Sequence, residues 1–267
     1  MQIFHPPQAV NGMLPENVFY IADSANQTVA EGFIIPTYHP YLFPERPVNL
    51  YISIRTQGPG RDMLLGALLA RVRQLHEQTS NMPARVFAQV SPQDTAMMGF
   101  YLESGFDAND ALDVVQLGMP NARPAAPMGY ELQYVPMTNQ NEVMGFIQRM
   151  NAYRLNVLQP QLLQRYMNLP HFFALCLLRG GELVGEIAFT GEGQAAKLIG
   201  MYVTPNYRRM GLAKCLIATG MKLLSDRGVT HVEADVIRRN EIQRALARSC
   251  SATFVRTACF YPGLNYD

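Results

Sequence analysis

From Thr230 to Val236 the chain reads Thr-His-Val-Glu-Ala-Asp-Val, polar and apolar residues in alternation, the period of a strand with one buried face. The same period predicts a strand over Tyr130–Met137. Phe172–Leu178 and Leu183–Phe189 are nearly all apolar, and the Arg-Gly-Gly-Glu between them predicts a hairpin of two buried strands. Thr-Gly-Glu-Gly follows, and then Lys197–Val203 as a third strand. Elsewhere the period lengthens. Val143, Phe146, Ile147 and Met150 predict a helix over Asn139–Tyr153, and Pro160–Met167 a second, shorter one. Leu212, Leu216, Leu223 and Leu224 mark a helix over Gly211–Ser225. Asn240–Cys250 reads as a helix and Thr253–Phe260 as a closing strand. An order of strand, two helices, three strands, helix, strand, helix, strand predicts an α/β domain with a mixed sheet.

Composition narrows the class. With 267 residues, 48% of them hydrophobic, the chain can build full cores, which excludes a disordered or fibrous protein. No apolar run reaches the length of a membrane span, and the opening Met-Gln-Ile-Phe-His-Pro-Pro lacks the regions of a signal peptide. The expectation is a soluble, cytoplasmic protein. Four scattered cysteines (Cys176, Cys215, Cys250, Cys259) suit neither a disulfide framework nor a zinc site, so reduced thiols and no metal are expected. The net charge of +1 hides an uneven division. Residues 1–124 carry 7 arginines, no lysine and 11 acids, a balance of −4, while residues 125–267 carry 15 basic and 10 acidic side chains, a balance of +5. Pro120, Pro124 and Pro127 at the border predict a spacer. The basic residues form no run, which argues against nucleic-acid binding.

The chemistry points to the segment after Val203. Thr204-Pro-Asn-Tyr-Arg-Arg-Met-Gly-Leu-Ala213 joins a strand end to a helix start. Gly211 allows a close approach to the backbone there. The first helical amides point outward with the positive end of the dipole, and Arg208 and Arg209 add charge. Such a place suits a phosphate or pyrophosphate. Here the chain resembles the GNAT superfamily of acyl-CoA-dependent N-acyltransferases, whose phosphate loop runs Gln/Arg-x-x-Gly-x-Gly/Ala. Arg208, Gly211 and Ala213 match its three defined positions, and the order of elements agrees over about residues 128–267. The resemblance implies acetyl-CoA as acyl donor, with its pantetheine arm along the backbone of Met201, Tyr202 and Val203. It implies a pyrophosphate cradled by the amides of Arg208, Arg209, Met210, Gly211, Leu212, Ala213 and Lys214, and a cofactor contact from Asn240.

The first half looks like a second copy. Val29-Ala-Glu31 echoes Val184-Gly-Glu186, and Arg55-Thr-Gln-Gly58-Pro-Gly60 repeats the loop spacing between an apolar strand at Leu50–Ile54 and a helix from Met63 to about Gln74. Ala88–Asp94 aligns with Ala234–Asn240. The expected fold class is therefore α/β with two GNAT-like units, each a mixed, mostly antiparallel sheet flanked by helices. The expected division is a shortened unit at 1–120, a linker at 121–127 and a complete unit at 128–267, the first lacking room for the initial strand and two helices. Pro59 removes an amide from the first loop, which counts against a cofactor there.

In the family a Tyr-x-x-x-Gly-Phe segment supplies the tyrosine that protonates the leaving thiolate. The first half keeps it as Tyr101…Gly105-Phe106, but the same register in the second half gives Ala247. Ser249, Cys250, Tyr261 or water are the substitutes the sequence offers, with Cys250 also fitting simple packing. For the base, Glu186 is the nearest candidate, with Glu233 and Asp235 as alternatives. Both halves carry a glutamate at that place, which equally fits an inherited structural residue. The expected reaction is transfer of acetyl to a primary amine, on a small molecule or a protein, by direct attack. The rivals are an active first half and a silent coenzyme-A-binding or interaction module. Acceptor and oligomeric state leave no mark in the sequence.

Overall fold

In a computed structural model these patterns become two sheets with helices packed on them. The structure describes all residues except 57, 58, 80, 81, 121, 123 and 124. Gly58 of the repeated loop, and part of the expected spacer, therefore lie outside the described residues. Along the chain run β1 (Gln2–Phe4), β2 (Val18–Ala22), β3 (Thr28–Tyr38), β4 (Val48–Thr56), α1 (Arg61–Gln78), β5 (Ala84–Phe87), α2 (Thr95–Glu103) and β6 (Ala111–Gln116). Then come β7 (Glu131–Tyr134), α3 (Gln140–Asn151), α4 (Pro160–Met167), β8 (Phe173–Arg179), β9 (Glu182–Glu192), β10 (Ala195–Val203), α5 (Leu212–Ser225), β11 (His231–Ile237), α6 (Glu241–Ser249), β12 (Thr253–Phe260) and β13 (Gly263–Tyr266). No described helix is long and apolar enough to cross a membrane.

The chain divides into two compact units, Met1–Ala111 together with Cys259–Asp267, and Leu112–Ala258. These borders differ from 120 and 128 because strands cross them. β6, from the end of the first half, enters the second sheet, and β13, the last strand, enters the first.

The first unit holds the sheet β1-β2-β3-β4-β5-β13. β4 and β5 pair in parallel from Val48/Ala84 to Tyr51/Phe87, and from there to Thr56 no described strand pairs with β4 on that side. α1 lies on β2, β3 and β4, burying Leu64, Leu65, Leu68 and Val72 against Ile21, Ile34 and Ile52. No pair of helices separates the first two strands, as expected. The short strand β1 is nonetheless present and pairs with β2, so the initial strand is reduced rather than missing. The helix caps also revise the repeat: the left-handed residue that opens α1 is Gly60 (φ 109°), two residues beyond the Gly58 that the spacing aligned with Gly211.

The second unit holds the sheet β12-β6-β11-β10-β9-β8-β7. Its two faces carry separate cores. α5 covers one with Leu212, Leu216, Met221 and Leu224 against Phe173, Ile187 and Phe189, and Val203 and Ala234 join this layer. α3 and α4 cover the other with Phe146, Ile147, Met150 and Leu163 against Ala188, Ile199 and Tyr202. β10 and β11 are parallel but pair only from Ala195/His231 to Leu198/Ala234, beyond which they part. β10 also carries a bulge between Leu198 and Gly200. Side chains alternate faces along a strand, and one extra residue resets the alternation. Ile199 and Gly200 therefore both face α3, and Tyr202 follows them onto that face.

Candidate active site

The parting of β10 from β11 leaves Met201, Tyr202 and Val203 bonded to β9 on one side and, among the described residues, matched by no strand on the other. An extended chain can add to such a free strand edge. The side chains are spent on packing: Tyr202 and Val203 are buried and Met201 is half-buried. What this segment offers a ligand is its backbone. It is also the carboxyl end of the parallel strands, where ligands of α/β sheets bind.

Immediately beyond, Pro205–Tyr207 form a short 3-10 turn, Arg209 takes a left-handed conformation (φ 63°), and Gly211 opens α5 at φ 76°. Gly211 is required by that backbone angle, while the space around its missing side chain is empty within 4 Å. The first hydrogen bond of α5 runs from the Cys215 amide to the Gly211 carbonyl (3.0 Å). The amides of Arg209, Met210, Gly211, Leu212, Ala213 and Lys214 have no partner among the described residues and sit at the positive end of a 14-residue helix. Arg208 departs from the expectation: its amide donates to the Pro205 carbonyl at 3.2 Å. Its guanidinium Nε donates to the Val203 carbonyl (3.1 Å) and lies over the Tyr153 ring, which stacks on Tyr202 at 4.5 Å. Arg208 thus fastens the loop to β10. Asn240 is likewise structural in part. It is buried, and its side-chain oxygen caps α6 by accepting from the Gln243 amide (2.9 Å).

Glu186 lies on β9 opposite Tyr202, on the α3 face, and is 1% exposed. Both of its oxygens are taken. Arg149 of α3 donates Nη2 to Oε1 at 2.7 Å and Nε to Oε2 at 3.0 Å, and the Tyr202 hydroxyl donates to Oε2 at 2.8 Å. The hydrogen bond to Glu186 raises the Arg149 pKa, and burial, helped by the Glu186 charge, pushes the Tyr202 phenol well up. An incoming ammonium has to displace one of these donors to reach the carboxylate. The alternatives are paired as well, but less buried: Asp235 with Lys197 (2.8 Å) and Glu233 with Arg256 (3.0 Å). A further pair, Arg238 with Asp113 of β6 at 2.7 Å, completes a row of ion pairs on these strands. Glu31, which the repeat places with Glu186, is far more exposed and meets Arg55 at 3.4 Å.

The expected proton donors fare differently. Ala247 lies on α6 and offers none. Ser249 Oγ donates to the Leu246 carbonyl (2.7 Å), and burial pushes the Cys250 thiol up. Tyr261 belongs to the first unit, where its buried ring meets Phe87 edge-on at 5.6 Å. Tyr101 is also core there, 2% exposed, its phenol pushed up by burial. The first unit does hold a cleft of about 610 Å³ at the start of α1, lined by Gly60, Arg61 and Asp62 and by Thr95, Phe100 and Glu103 of α2. Two of those side chains are acids.

Parted parallel strands, a bulge at the parting and a helix start with unpartnered amides among the described residues follow one another along the second unit. Residues 137–251 match the Acetyltransferase (GNAT) family. That match lies wholly within the second unit. Two solved structures agree on the fold. A GCN5-related N-acetyltransferase from Sphaerobacter thermophilus is 15% identical, with 94% of this chain and 81% of that one covered and a TM-score of 0.52. A GCN5-related N-acetyltransferase from Anabaena variabilis is 13% identical, with a TM-score of 0.54; 92% of this chain aligns, spanning 62% of that protein. A tandem GNAT protein from the clavulanic acid biosynthesis pathway is 14% identical over 93% and 82% of the two chains, with a TM-score of 0.44. No curated protein matches the sequence. The fold comprises two GNAT-like units, and the sequence signal for the family lies in the second.

Arg149 was not legible as part of this site. A lone glutamate in the apolar run Leu183–Phe189 was the available signal for Arg149, since a carboxylate buried there demands a cation. Nothing in the sequence says which arginine supplies it.

Proposed function

We propose that this protein is an acetyl-CoA-dependent N-acyltransferase whose donor binds the second unit. One observation carries the reading: β10 and β11 stop pairing after Leu198/Ala234, and the loop that follows β10 has amides, from Arg209 to Lys214, with no partner among the described residues. The residues fit the donor. Met201–Val203 present a free backbone edge for an extended amide-bearing arm, and the start of α5 suits a pyrophosphate. When bound, acetyl-CoA supplies an activated acyl thioester.

The chain's own residues do the rest. Glu186 acts as a positioning residue, holding Arg149 and Tyr202 in the wall on the α3 face, rather than as the proton acceptor the sequence suggested. Asp235 takes that role in our reading, because it follows the last residue of β11 that pairs with β10 and is about a third exposed. With alanine at 247, solvent supplies the proton for the departing sulfur. The acceptor is an amine, on a small molecule or a protein. Isothermal titration with acetyl-CoA followed by thiol release across an amine panel tests the reading. Binding with turnover is expected. A folded chain that does not bind acetyl-CoA refutes it, and binding with no turnover across the panel supports the silent module that Ala247 favours.

A further inference from the structure

Arg149, Lys197, Arg238 and Arg256 of the second unit each form an ion pair with a carboxylate on the sheet, whereas Arg154 forms none among the described residues. Arg154, just beyond α3, makes a single hydrogen bond among the described residues, Nε to the Asn156 carbonyl at 3.1 Å, and no ion pair. Its guanidinium lies on Gly200, the residue that the bulge of β10 turns toward α3. A side-chain carbon at 200 would stand 3.0 Å from Nη1. The nitrogens left over therefore sit beside β10 where it begins to part from β11. Burial lowers the guanidinium pKa from its ordinary value, and Asp235 across the gap attracts it without bonding to it. Holding an unpaired cation in such a place costs stability unless a ligand compensates it.

We infer that Arg154 is a specificity-determining residue that receives the carboxylate of the acceptor, so that the acceptor is an amine bearing a carboxylate, an amino acid being the simplest case. This rests on the donor site proposed above. The planar fork of a guanidinium matches a carboxylate with two parallel hydrogen bonds. Asp235, near enough to feel Arg154, is placed for the ammonium end of the same molecule. The bulge has a use in this arrangement: without it Met201 rather than Gly200 would face α3, and the guanidinium would lose its seat.

The test uses the full chain loaded with coenzyme A, titrated calorimetrically with the common amino acids, their α-amides and O-phosphoethanolamine. At least one amino acid should bind about tenfold or more tightly than its amide. Arg154→Gln should abolish that difference, and Arg154→Lys should keep part of it. Circular dichroism confirms that both variants are folded, and Gly200→Ala, which pushes the guanidinium aside, should weaken the acid preference independently. Amides binding as well as acids, a preference for the phosphate probe, no amino-acid binding by a chain that binds coenzyme A, or an acid preference unchanged in Arg154→Gln each overturn the inference. Failure of coenzyme A itself to bind overturns the donor site instead.

Discussion

Replacing Glu186 with glutamine leaves the size of the side chain unchanged and removes its charge. In the native chain the carboxylate is 1% exposed and accepts three hydrogen bonds of 2.7, 3.0 and 2.8 Å from Arg149 and Tyr202. Breaking a buried pair by removing one partner costs about 3–5 kcal/mol. Arg149 is 39% exposed and recovers part of its hydration, which sets the cost here near the lower end, about 2–3 kcal/mol. For a unit of this size that is a fall in Tm of roughly 5–12 °C. Backbone hydrogen exchange at β9 and β10 isolates the effect to the second unit. The double variant Glu186→Leu with Arg149→Met, which removes both charges, should recover most of the loss, leaving a coupling of about 1–3 kcal/mol. Turnover by Glu186→Gln should persist with an unaltered pH profile. A single variant within about 0.5 kcal/mol of the native chain, or a double variant that merely adds the two losses, refutes the pairing argument. Loss of one limb of the pH profile refutes the positioning role.

Three further outcomes follow from the same structure. Burial pushes the phenols of Tyr101 and Tyr202 above their ordinary 10.0, so the stability they lend is intact below pH 10.0 and drains away as the pH rises past it. Thermal unfolding followed with phenolate absorbance should show that loss, reduced in Tyr202→Phe; a melting temperature level through the alkaline range contradicts it. Deleting Cys259–Asp267 removes β13, the paired hydrogen bonds between Val90 and Phe260 and between Asp107 and Gly263, and the buried Tyr261. Loss of such an aromatic alone costs about 3–5 kcal/mol, so hydrogen exchange should report the first unit unfolded, and protection retained in α1 would be evidence against the strand exchange. Gly211→Ala meets open space but a left-handed backbone, so denaturant unfolding should show a cost of about 1 kcal/mol, and no measurable cost would contradict that conformation.

Local signals carried well. Pro160–Met167 and Thr253–Phe260 have the bounds that periodicity predicts, and the loop after Val203 leads into a helix where the glycine spacing placed one. What the sequence hid is non-local. β6 and β13 join sheets built mainly from the opposite half, and strand pairing over that separation leaves no periodic trace. The ion pair of Glu186 and the seat of Arg154 depend on how α3 lies over β9 and on a one-residue bulge. Neither alters the pattern of polar and apolar residues.

The proposed donor site lies in the second unit. Isothermal titration of acetyl-CoA into the intact chain, Gly211→Val and Arg61→Glu tests it most directly. One equivalent should bind to the intact chain and to Arg61→Glu, which alters the cleft of the first unit, and none to a folded Gly211→Val. Binding that survives Gly211→Val and disappears in Arg61→Glu would place the donor in the first unit and contradict it.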